Sequence, residues 1–231
     1  MNIAVLGETV VGENRVALIP SSVPKLVKLG YKISVVAGAG SKSHYQDSEY
    51  EQVGATICPD LASATNGASV ILKVQPPTDQ EIASLPKNSV LISLLLPLNN
   101  PDLIKSLADA SITALSLELI PRITRAQSMD VLSSQATVAG YKAVLTGSNE
   151  LGKFLPMFMT AAGTIRPGKV LILGAGVAGL QAIATARRLG AKVEAFDVRP
   201  AVKEQIESLG PLSWKWKKKS VEKAREATQK N

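Results

Sequence analysis

The sequence predicts an α/β fold of two Rossmann-like, doubly wound domains joined by helical segments, with the second domain incomplete. Short apolar runs alternate with segments of helical spacing through the first half of the chain. A glycine-rich turn between an apolar run and a helical segment comes late, within residues 170–190, and leaves little chain to complete a second domain. The composition, 45% hydrophobic and 19% charged over 231 residues, is that of a globular protein with room for two ordinary domains.

Residues 1–130 carry the pattern of the first domain. Strands that alternate with short helices predict a mostly parallel sheet with helices on both faces. The predicted strands are Ile3–Leu6, Ile33–Val36, Val70–Val74, Val90–Leu94 and Ile112–Leu115, and the predicted helices are Val23–Leu29, Gln80–Leu85 and Leu103–Leu107.

The rest of the chain divides into three predicted parts. Residues 131–164 contain few strand signals and are expected to be a helical connector, interrupted near Gly147 and Pro156. Residues 165–210 are expected to form a partial Rossmann domain, whose two-stranded parallel sheet would leave an edge unpaired. Residues 211–231 form a basic tail without an extended buried-strand pattern.

The segment from Val170 to Arg199 has the order strand, glycine-rich turn, helix, strand and acid, which is typical of a dinucleotide-binding unit. Gly174 is expected to make the tight turn, Gly176 to let the backbone approach a pyrophosphate, and Gly179 to let the helix pack close to the strand. The N-terminus of that helix favours an anion through its N–H groups and its dipole. The alternative is a glycine turn that binds no nucleotide.

The identity of the nucleotide depends on two neighbouring charges. Asp197 lies 18 residues beyond Gly179, close to the spacing of the carboxylate that binds a ribose 2′-hydroxyl. An acid there favours NAD over NADP, because a 2′-phosphate would meet like charge. Arg199 leaves the choice open, since an arginine at this point can receive a 2′-phosphate.

A second cluster of polar residues lies at Pro121–Ala136, in an otherwise apolar part of the chain. A polar loop at the end of a sheet is where ligands bind in open α/β folds. Arg122 and a serine are suited to hold a carboxamide. The alternative is a solvated loop in which Asp130 or Ser133 caps the helix that follows.

Several segments resemble one known family, the alanine dehydrogenases and transhydrogenase alpha subunits. They are ENRVAL (Glu13–Leu18), ILKVQPP (Ile71–Pro77), PRITRAQSMDVLSSQA (Pro121–Ala136), GYKAVL, PMFMTAAGTIRPGKVLILGAGVAGLQAIATARRLGA and FDVR. The segments RAQSMDVLSSQA and GVAGLQAIATA are most similar to the NAD(H)-binding component of proton-translocating NAD(P) transhydrogenases.

The resemblance implies NAD(H) as cofactor and hydride transfer to NADP(H) on a partner subunit, with membrane subunits coupling the transfer to protons. It also implies a homodimer. At the nicotinamide end it places Arg122, Gln127, Asp130 and Ser133 as the catalytic set, with Ile123 and Thr124 beside them. At the pyrophosphate and adenosine end it places Gly174, Gly176, Val177, Gly179, Asp197, Val198 and Arg199.

A chemical argument separates the two branches of the family. Oxidation of an amino acid moves protons as well as hydride and needs a positioned acid or base, whereas transfer between two nicotinamides needs mainly orientation. The resemblance places the catalytic histidine of the amino-acid branch near Val90–Pro97, where this chain has no proton donor. The only histidine, His44, lies in a loop-like stretch and is interpreted as structural. Transhydrogenation is therefore favoured over deamination.

Two residues keep deamination open as the alternative. Arg15 and Lys73 match positions that hold the substrate carboxylate and carbonyl in the amino-acid branch. In the favoured interpretation they are structural charges, with Arg15 paired to a carboxylate and Lys73 closing a strand.

Composition and the chain ends bear on partners and location. The longest apolar run, residues 90–98, contains Pro97 and is far shorter than the roughly 20 residues a membrane helix needs. No secretory signal is evident, and the single Cys58 fits a reducing compartment, so a cytoplasmic location beside a membrane complex is expected.

The net charge of +7 is concentrated in residues 214–231, which hold six lysines and one arginine against two glutamates. This distribution does not predict a nucleic-acid partner. The tail is either a solvated terminus or a segment that contacts phosphate or an acidic membrane surface. We interpret the chain as a truncated or frame-shifted product; a piece of a split subunit and a non-catalytic NAD-binding remnant are the alternatives.

Overall fold

The computed structural model describes residues 1–208 and 212–213. Contacts within the chain divide it into two compact units, Met1–Asp130 and a second that begins at Val131. Each unit is built around a parallel sheet, so the predicted α/β class with Rossmann-like topology is confirmed.

The first unit contains a six-stranded, wholly parallel sheet. Its strands are β1 (Asn2–Val5), β2 (Lys32–Val36), β3 (Thr56–Cys58), β4 (Val70–Leu72), β5 (Val90–Ser93) and β6 (Thr113–Ser116). Their spatial order is β3-β2-β1-β4-β5-β6. The order reverses between β1 and β4, and the carboxyl ends of these two strands are the position at which a doubly wound sheet binds its ligand.

Helices cover both faces of this sheet. They are α1 (Val23–Lys28), α2 (Asp47–Gln52), α3 (Leu61–Thr65), α4 (Asp79–Ser84) and α5 (Pro101–Asp109). Alternate residues of β1 enter two separate cores: Ile3 and Val5 pack with the α1 side, and Ala4 and Leu6 with the α4 and α5 side. Period-two alternation into two hydrophobic layers is the signature of a sheet buried on both faces.

Three elements of the first unit were not predicted. β3 has only three residues, too few for a clear apolar pattern. α2 and α3 are short helices defined by caps: the side chain of Gln46 or Asp60 accepts a backbone N–H three residues later, and the residue at that position bonds back. Such reciprocal capping stabilises a helix without a long hydrophobic stripe.

The second unit begins with a long helix, α6 (Val131–Glu150), followed by an antiparallel hairpin of β7 (Phe158–Thr160) and β8 (Gly163–Ile165). Then come β9 (Lys169–Leu173), α7 (Val177–Arg188), β10 (Lys192–Phe196), α8 (Lys203–Ser208) and β11 (Leu212–Ser213). The last three strands pair in parallel in the order β11-β10-β9.

The structure corrects three expectations for this unit. α6 continues through Gly147, because a single glycine weakens a helix without ending it. The connector is not wholly helical, since residues 158–165 pair across a turn that contains Gly163 with φ +127°. The sheet has three strands rather than two, although β11 is only two residues long.

α6 is part of the second hydrophobic core rather than a bare connector. Its Val144 packs in a cluster with Ala182 and Ile183 of α7 and Val193 of β10. Gly140 is also buried in this helix.

One face of β9 remains uncovered. Leu171 and Leu173 are 51% and 75% exposed, whereas Val170 and Ile172 contact the core. Among the described residues β9 pairs only with β10, so it forms one edge of this sheet.

Most of the predicted basic tail, residues 211 and 214–231, lies outside the described residues. Within the part of the chain that the structure describes, none of the helices has the length and apolar character required to cross a membrane. The same residues contain no group of three or more histidine, cysteine or acidic side chains suited to hold a metal ion.

Candidate nucleotide-binding site

The glycine-rich turn lies between β9 and α7, and each glycine has a distinct structural role. Gly174 has φ +92°, in the left-handed region that favours glycine. A Cβ on Gly179 would lie 2.8 Å from the carbonyl carbon of Gly174, so only glycine allows this approach of helix and turn. A Cβ on Gly176 would meet nothing within 4 Å, which leaves space beside the backbone at the first turn of α7.

The N-terminus of α7 has the properties of an anion site. Gly176 is the N-cap residue, has an extended backbone and supplies no capping side chain. The first N–H groups of a helix have no acceptor within the helix, and they carry the positive end of its dipole. The open space at Gly176 and the absence of a side-chain cap fit a pyrophosphate at this point.

Asp197 follows β10 and reaches back to the glycine-rich turn. Its Oδ2 accepts the Ala175 N–H at 2.7 Å, and its Oδ1 accepts the Arg199 N–H at 2.8 Å. The Arg199 guanidinium donates to both carboxylate oxygens at 3.0 Å. The guanidinium and these two backbone donors hold the pKa of Asp197 well below its ordinary value. The carboxylate is thus ionised and lies beside the turn, as a ribose-binding acid must.

The geometry also bears on Arg199, which left the choice of cofactor open. Its side chain is 58% exposed but pairs with Asp197, whose side chain is only 5% exposed. In this arrangement the guanidinium neutralises Asp197 and is not directed to a separate phosphate. Val198, between them, is 82% exposed.

The polar cluster predicted at the nicotinamide end forms the last loop of the first unit. It follows β6 and contains a short 3-10 helix, Thr124–Met129. A cavity of about 240 Å³ opens here, and its lining residues are Arg122, Ile123, Thr124, Ala126, Gln127 and Asp130. The structure therefore brings together five of the six residues predicted for this end. The sixth, Ser133, lies on the first turn of α6 in the second unit.

The switch point of the first unit holds a buried charge cluster that sequence patterns revealed only in part. Lys73, directly after β4, is 1% exposed and pairs with Glu8 at 3.4 Å and Glu81 at 3.2 Å. Glu8 also accepts the backbone N–H groups of Val74 and Gln75, at 2.6 and 3.1 Å. The prediction that Lys73 closes a strand as a structural charge is consistent with these contacts. The one sequence signal for Glu81 was its place three residues after Thr78, in a capping box.

Arg15 pairs with Glu13 in the same region. Its Nε and one terminal nitrogen donate to the two Glu13 oxygens at 2.8 and 2.7 Å. Gln75 donates to the same carboxylate at 2.7 Å. Arg15 lowers the pKa of Glu13 to about 2, against the opposite effect of burial. Both cations that match the amino-acid branch are thus paired with carboxylates of this chain.

The loop after β5 is where the amino-acid branch carries its histidine. Here the N–H groups of Leu95 and Leu96 donate to the carboxylate of Glu118, and Leu96 has φ +48°. The side chain of Leu96 is 50% exposed and supplies no proton donor. His44 lies after β2 and is exposed; its own backbone is left-handed at φ +64°, where it ends a short 3-10 turn. A structural role for it agrees with that position.

Comparison with known proteins places the chain in a family. Residues 4–139 match the model described as "Alanine dehydrogenase/PNT, N-terminal domain", and residues 143–231 match the corresponding C-terminal domain. The NAD(P) transhydrogenase alpha subunit of Rhodospirillum rubrum, in its first polypeptide, is 50% identical over 216 residues, which cover 91% of this chain and 56% of that protein. An alanine dehydrogenase of Halomonas elongata is 33% identical over 200 residues, which cover 85% of this chain and 53% of the relative.

A solved structure agrees. The crystal structure of transhydrogenase from Sinorhizobium meliloti matches with a TM-score of 0.90 and 50% identity, and the match covers 93% of this chain and 64% of that one. The chain spans about half the length of the curated relatives described above. On its two domain matches, which run through most of the sequence, this chain belongs to the alanine dehydrogenase/PNT family.

Proposed function

We propose that this chain is the NAD(H)-binding component of a proton-translocating NAD(P) transhydrogenase. NADH bound here would pass a hydride to NADP held by a partner subunit, and membrane subunits would couple the transfer to proton movement. The chain would work as a homodimer in the cytoplasm, peripheral to the membrane through its partners, with no role in binding nucleic acid. The relatives of higher identity that support this proposal are transhydrogenase alpha subunits.

The observation that carries the NAD(H) part is the joint geometry of the glycine-rich turn and Asp197. The turn offers an uncapped helix N-terminus with open space at Gly176, and the ionised Asp197 lies within hydrogen-bond distance of the turn at Ala175. The pyrophosphate would bind the first turn of α7, and Asp197 would accept the ribose hydroxyl protons. To do so Asp197 must exchange part of its present contact with Arg199.

At the other end, Arg122, Gln127, Asp130 and Ser133 would orient the nicotinamide, beside Ile123 and Thr124. The bound nicotinamide supplies the hydride. The protein has to hold the carboxamide by its polar atoms, present one face of the ring to the partner's NADP, and keep water out of the space between the rings. The cavity at Arg122–Asp130 supports this assignment, since it gathers an arginine, an amide and a carboxylate in one loop.

Amino-acid oxidation is the second candidate, and a specific observation favours it. Arg15 and Lys73 lie after β1 and β4, at the switch point where a small acid would bind. Three carboxylates of this chain already pair with them, which argues against a free site for a substrate carboxylate. The missing proton donor after β5 argues in the same direction.

One pair of assays separates the candidates. The chain is mixed with the NADP-binding subunit of the Rhodospirillum rubrum enzyme, and hydride transfer from NADPH to an NAD analogue of distinct absorbance is followed. The proposed function predicts transfer that depends on both proteins. NADH formation from NAD and alanine by the chain alone would instead establish the amino-acid reaction. NAD binding without either activity would indicate an inactive NAD-binding fragment.

The cofactor assignment has its own control. The variant Asp197→Asn removes the charge that is proposed to accept the ribose hydroxyls and is nearly isosteric. It should weaken NAD binding about tenfold, measured by calorimetry, because a charge-assisted hydrogen bond is lost. Unchanged affinity would show that Asp197 serves the turn alone.

A further inference from the structure

The closest approach of α6 and α7 occurs at a glycine. A Cβ on Gly140 would lie 2.8 Å from the carbonyl carbon and 3.0 Å from the Cα of Ala178. Ala178 is the second residue of α7, in the turn that is proposed to bind the pyrophosphate. The backbone of α6 thus rests directly on the phosphate-binding end of α7, at a distance that no other residue type allows.

The two helices run in the same direction and separate toward their C-terminal ends. Ser148 and Leu151, at the end of α6, share a cavity of about 650 Å³ with Leu189, at the end of α7. A Cβ on Gly147, two turns after Gly140, would meet nothing within 4 Å. The helices are therefore held together at the phosphate end and splay apart at the other.

This arrangement places the start of α6 beyond the start of α7. Gly140 is the tenth residue of α6, whereas its neighbour Ala178 is the second residue of α7. At 1.5 Å per residue, α6 extends about 12 Å past the N-terminus of α7. Ser133 is seven residues before Gly140, close to two full turns, so the two lie on the same face of α6, about 10 Å apart along its axis.

We propose that Gly140 is a positioning residue, which fixes the distance and direction from the pyrophosphate-binding turn to Ser133. The inference rests on the proposed function, because it takes Ser133 to lie at the nicotinamide end. A dinucleotide bound at the turn has its nicotinamide half extending away from the helix N-terminus, and α6 is the element of this unit that projects the same way. The contact at Gly140 sets the register of that projection.

An added methyl group would act mainly on α6. α7 is fixed to the sheet through the buried Ala182, Ile183 and Ala186 and through the contact of Gly179 with Gly174. α6 packs against this core through fewer buried residues, chiefly Gly140 and Val144. The variant Gly140→Ala should therefore displace the start of α6 and leave the phosphate site in place.

The test compares two ligands by calorimetry on the full chain: NADH, and ADP-ribose, which has the adenosine and pyrophosphate but lacks the nicotinamide. The wild-type chain should prefer NADH. Gly140→Ala should reduce that preference about tenfold and leave ADP-ribose affinity within about twofold. Gly147→Ala is the matched control, on the same helix and the same face but in open space, and should keep the full preference.

Each alternative result has a defined meaning. Equal losses for both ligands would show that Gly140 serves packing alone, and unchanged affinities would show that α6 does not set the site; either overturns the inference. A wild-type chain that binds both ligands equally would refute the proposed nicotinamide end itself. Ser133→Ala combined with Gly140→Ala should weaken NADH binding by less than the sum of the single effects, because both act on the same contact. Additive effects would contradict the coupling.

If Gly140→Ala does not fold, Val144→Ala decides the matter. This variant loosens the same packing without adding atoms. It should lower the preference for NADH in the same direction, about threefold, with ADP-ribose affinity kept. A full preference in a folded Val144→Ala chain would overturn the inference.

Discussion

The buried lysine of the first unit gives the sharpest test of its structural role. In the variant Lys73→Met, Glu8 and Glu81 lose their shared cation. The Lys73 side chain is 0% exposed, and those of Glu8 and Glu81 are 1% and 9% exposed, so solvent cannot replace it. Removing one partner of a buried pair destabilises a protein by about 3–5 kcal/mol.

The magnitude should fall at the lower end of that range, because both carboxylates keep other donors. Glu8 retains the N–H groups of Val74 and Gln75, and Glu81 retains the N–H of Thr78. We therefore expect Lys73→Met to lower the free energy of unfolding by about 3 kcal/mol, roughly a 150-fold change in the ratio of folded to unfolded chain.

Urea unfolding followed by far-ultraviolet circular dichroism measures this change. Lys87→Met, at an exposed position of the same unit, is the matched control and should stay within about 0.5 kcal/mol of wild type. The double variant Lys73→Met, Glu81→Gln should recover part of the loss, since one of the two uncompensated charges is removed. A loss below about 1 kcal/mol for Lys73→Met would refute the structural interpretation and revive a substrate role for Lys73.

Three further predictions concern the turn and two titrating groups. Gly179→Ala should unfold the turn or lower the melting temperature by several degrees, because its Cβ would lie 2.8 Å from Gly174. Gly176→Ala should fold normally, because its Cβ meets nothing within 4 Å, and should bind NAD at least about tenfold more weakly by calorimetry because the Cβ enters the phosphate space; normal NAD binding would contradict the site. Arg15 lowers the pKa of Glu13 from 4.5 to about 2, so this pair stabilises the fold above pH 4.5 and loses its effect as the pH falls toward 2. Unfolding curves of Glu13→Gln should lack that part of the pH dependence, and identical slopes for variant and wild type would exclude the pair as its source. Burial raises the pKa of Tyr50 from 10 to about 12, so the stabilisation is complete below pH 10 and is lost as the pH rises through 12. Tyr50→Phe should cost about 1 kcal/mol near neutral pH, because the hydroxyl donates a buried hydrogen bond, and should reduce the alkaline loss; an unchanged alkaline midpoint would argue against Tyr50.

Local sequence patterns predicted the parts of the fold that local forces determine. All five strands predicted for the first unit are present, because each is a compact apolar run bounded by polar residues. The glycine-rich turn was predicted for the same reason: Gly174 and Gly179 satisfy steric conditions set by residues within five positions of each other. Asp197 could be placed by its spacing from the turn.

Contacts between distant parts of the chain could not be predicted in this way. Lys73 meets a carboxylate 65 residues away, and no local pattern specifies that partner. α6 was predicted to break near Gly147, but packing at Val144 and the helix formers around it outweigh the local weakness. The hairpin at residues 158–165 was missed because its two strands have only three residues each.

The division of the predicted nicotinamide residues between two units was also not evident from sequence. Arg122–Asp130 and Ser133 are neighbours in the chain, yet the boundary of the two units falls between Asp130 and Val131. A polar cluster gives no sign of where one core ends and the next begins, because that depends on which apolar residues each segment contacts.

The uncovered side of β9 has a consequence for the behaviour of the protein in concentrated solution. Leu171 and Leu173 project from a strand whose outer backbone groups pair with no other strand among residues 1–208 and 212–213. Such a strand is a template on which another chain can add, and its two leucines make that addition hydrophobic. Self-association by this route would consume the protein without involving the nucleotide, and its rate would rise with concentration. Colloidal stability of the chain thus depends on what occupies a single strand edge.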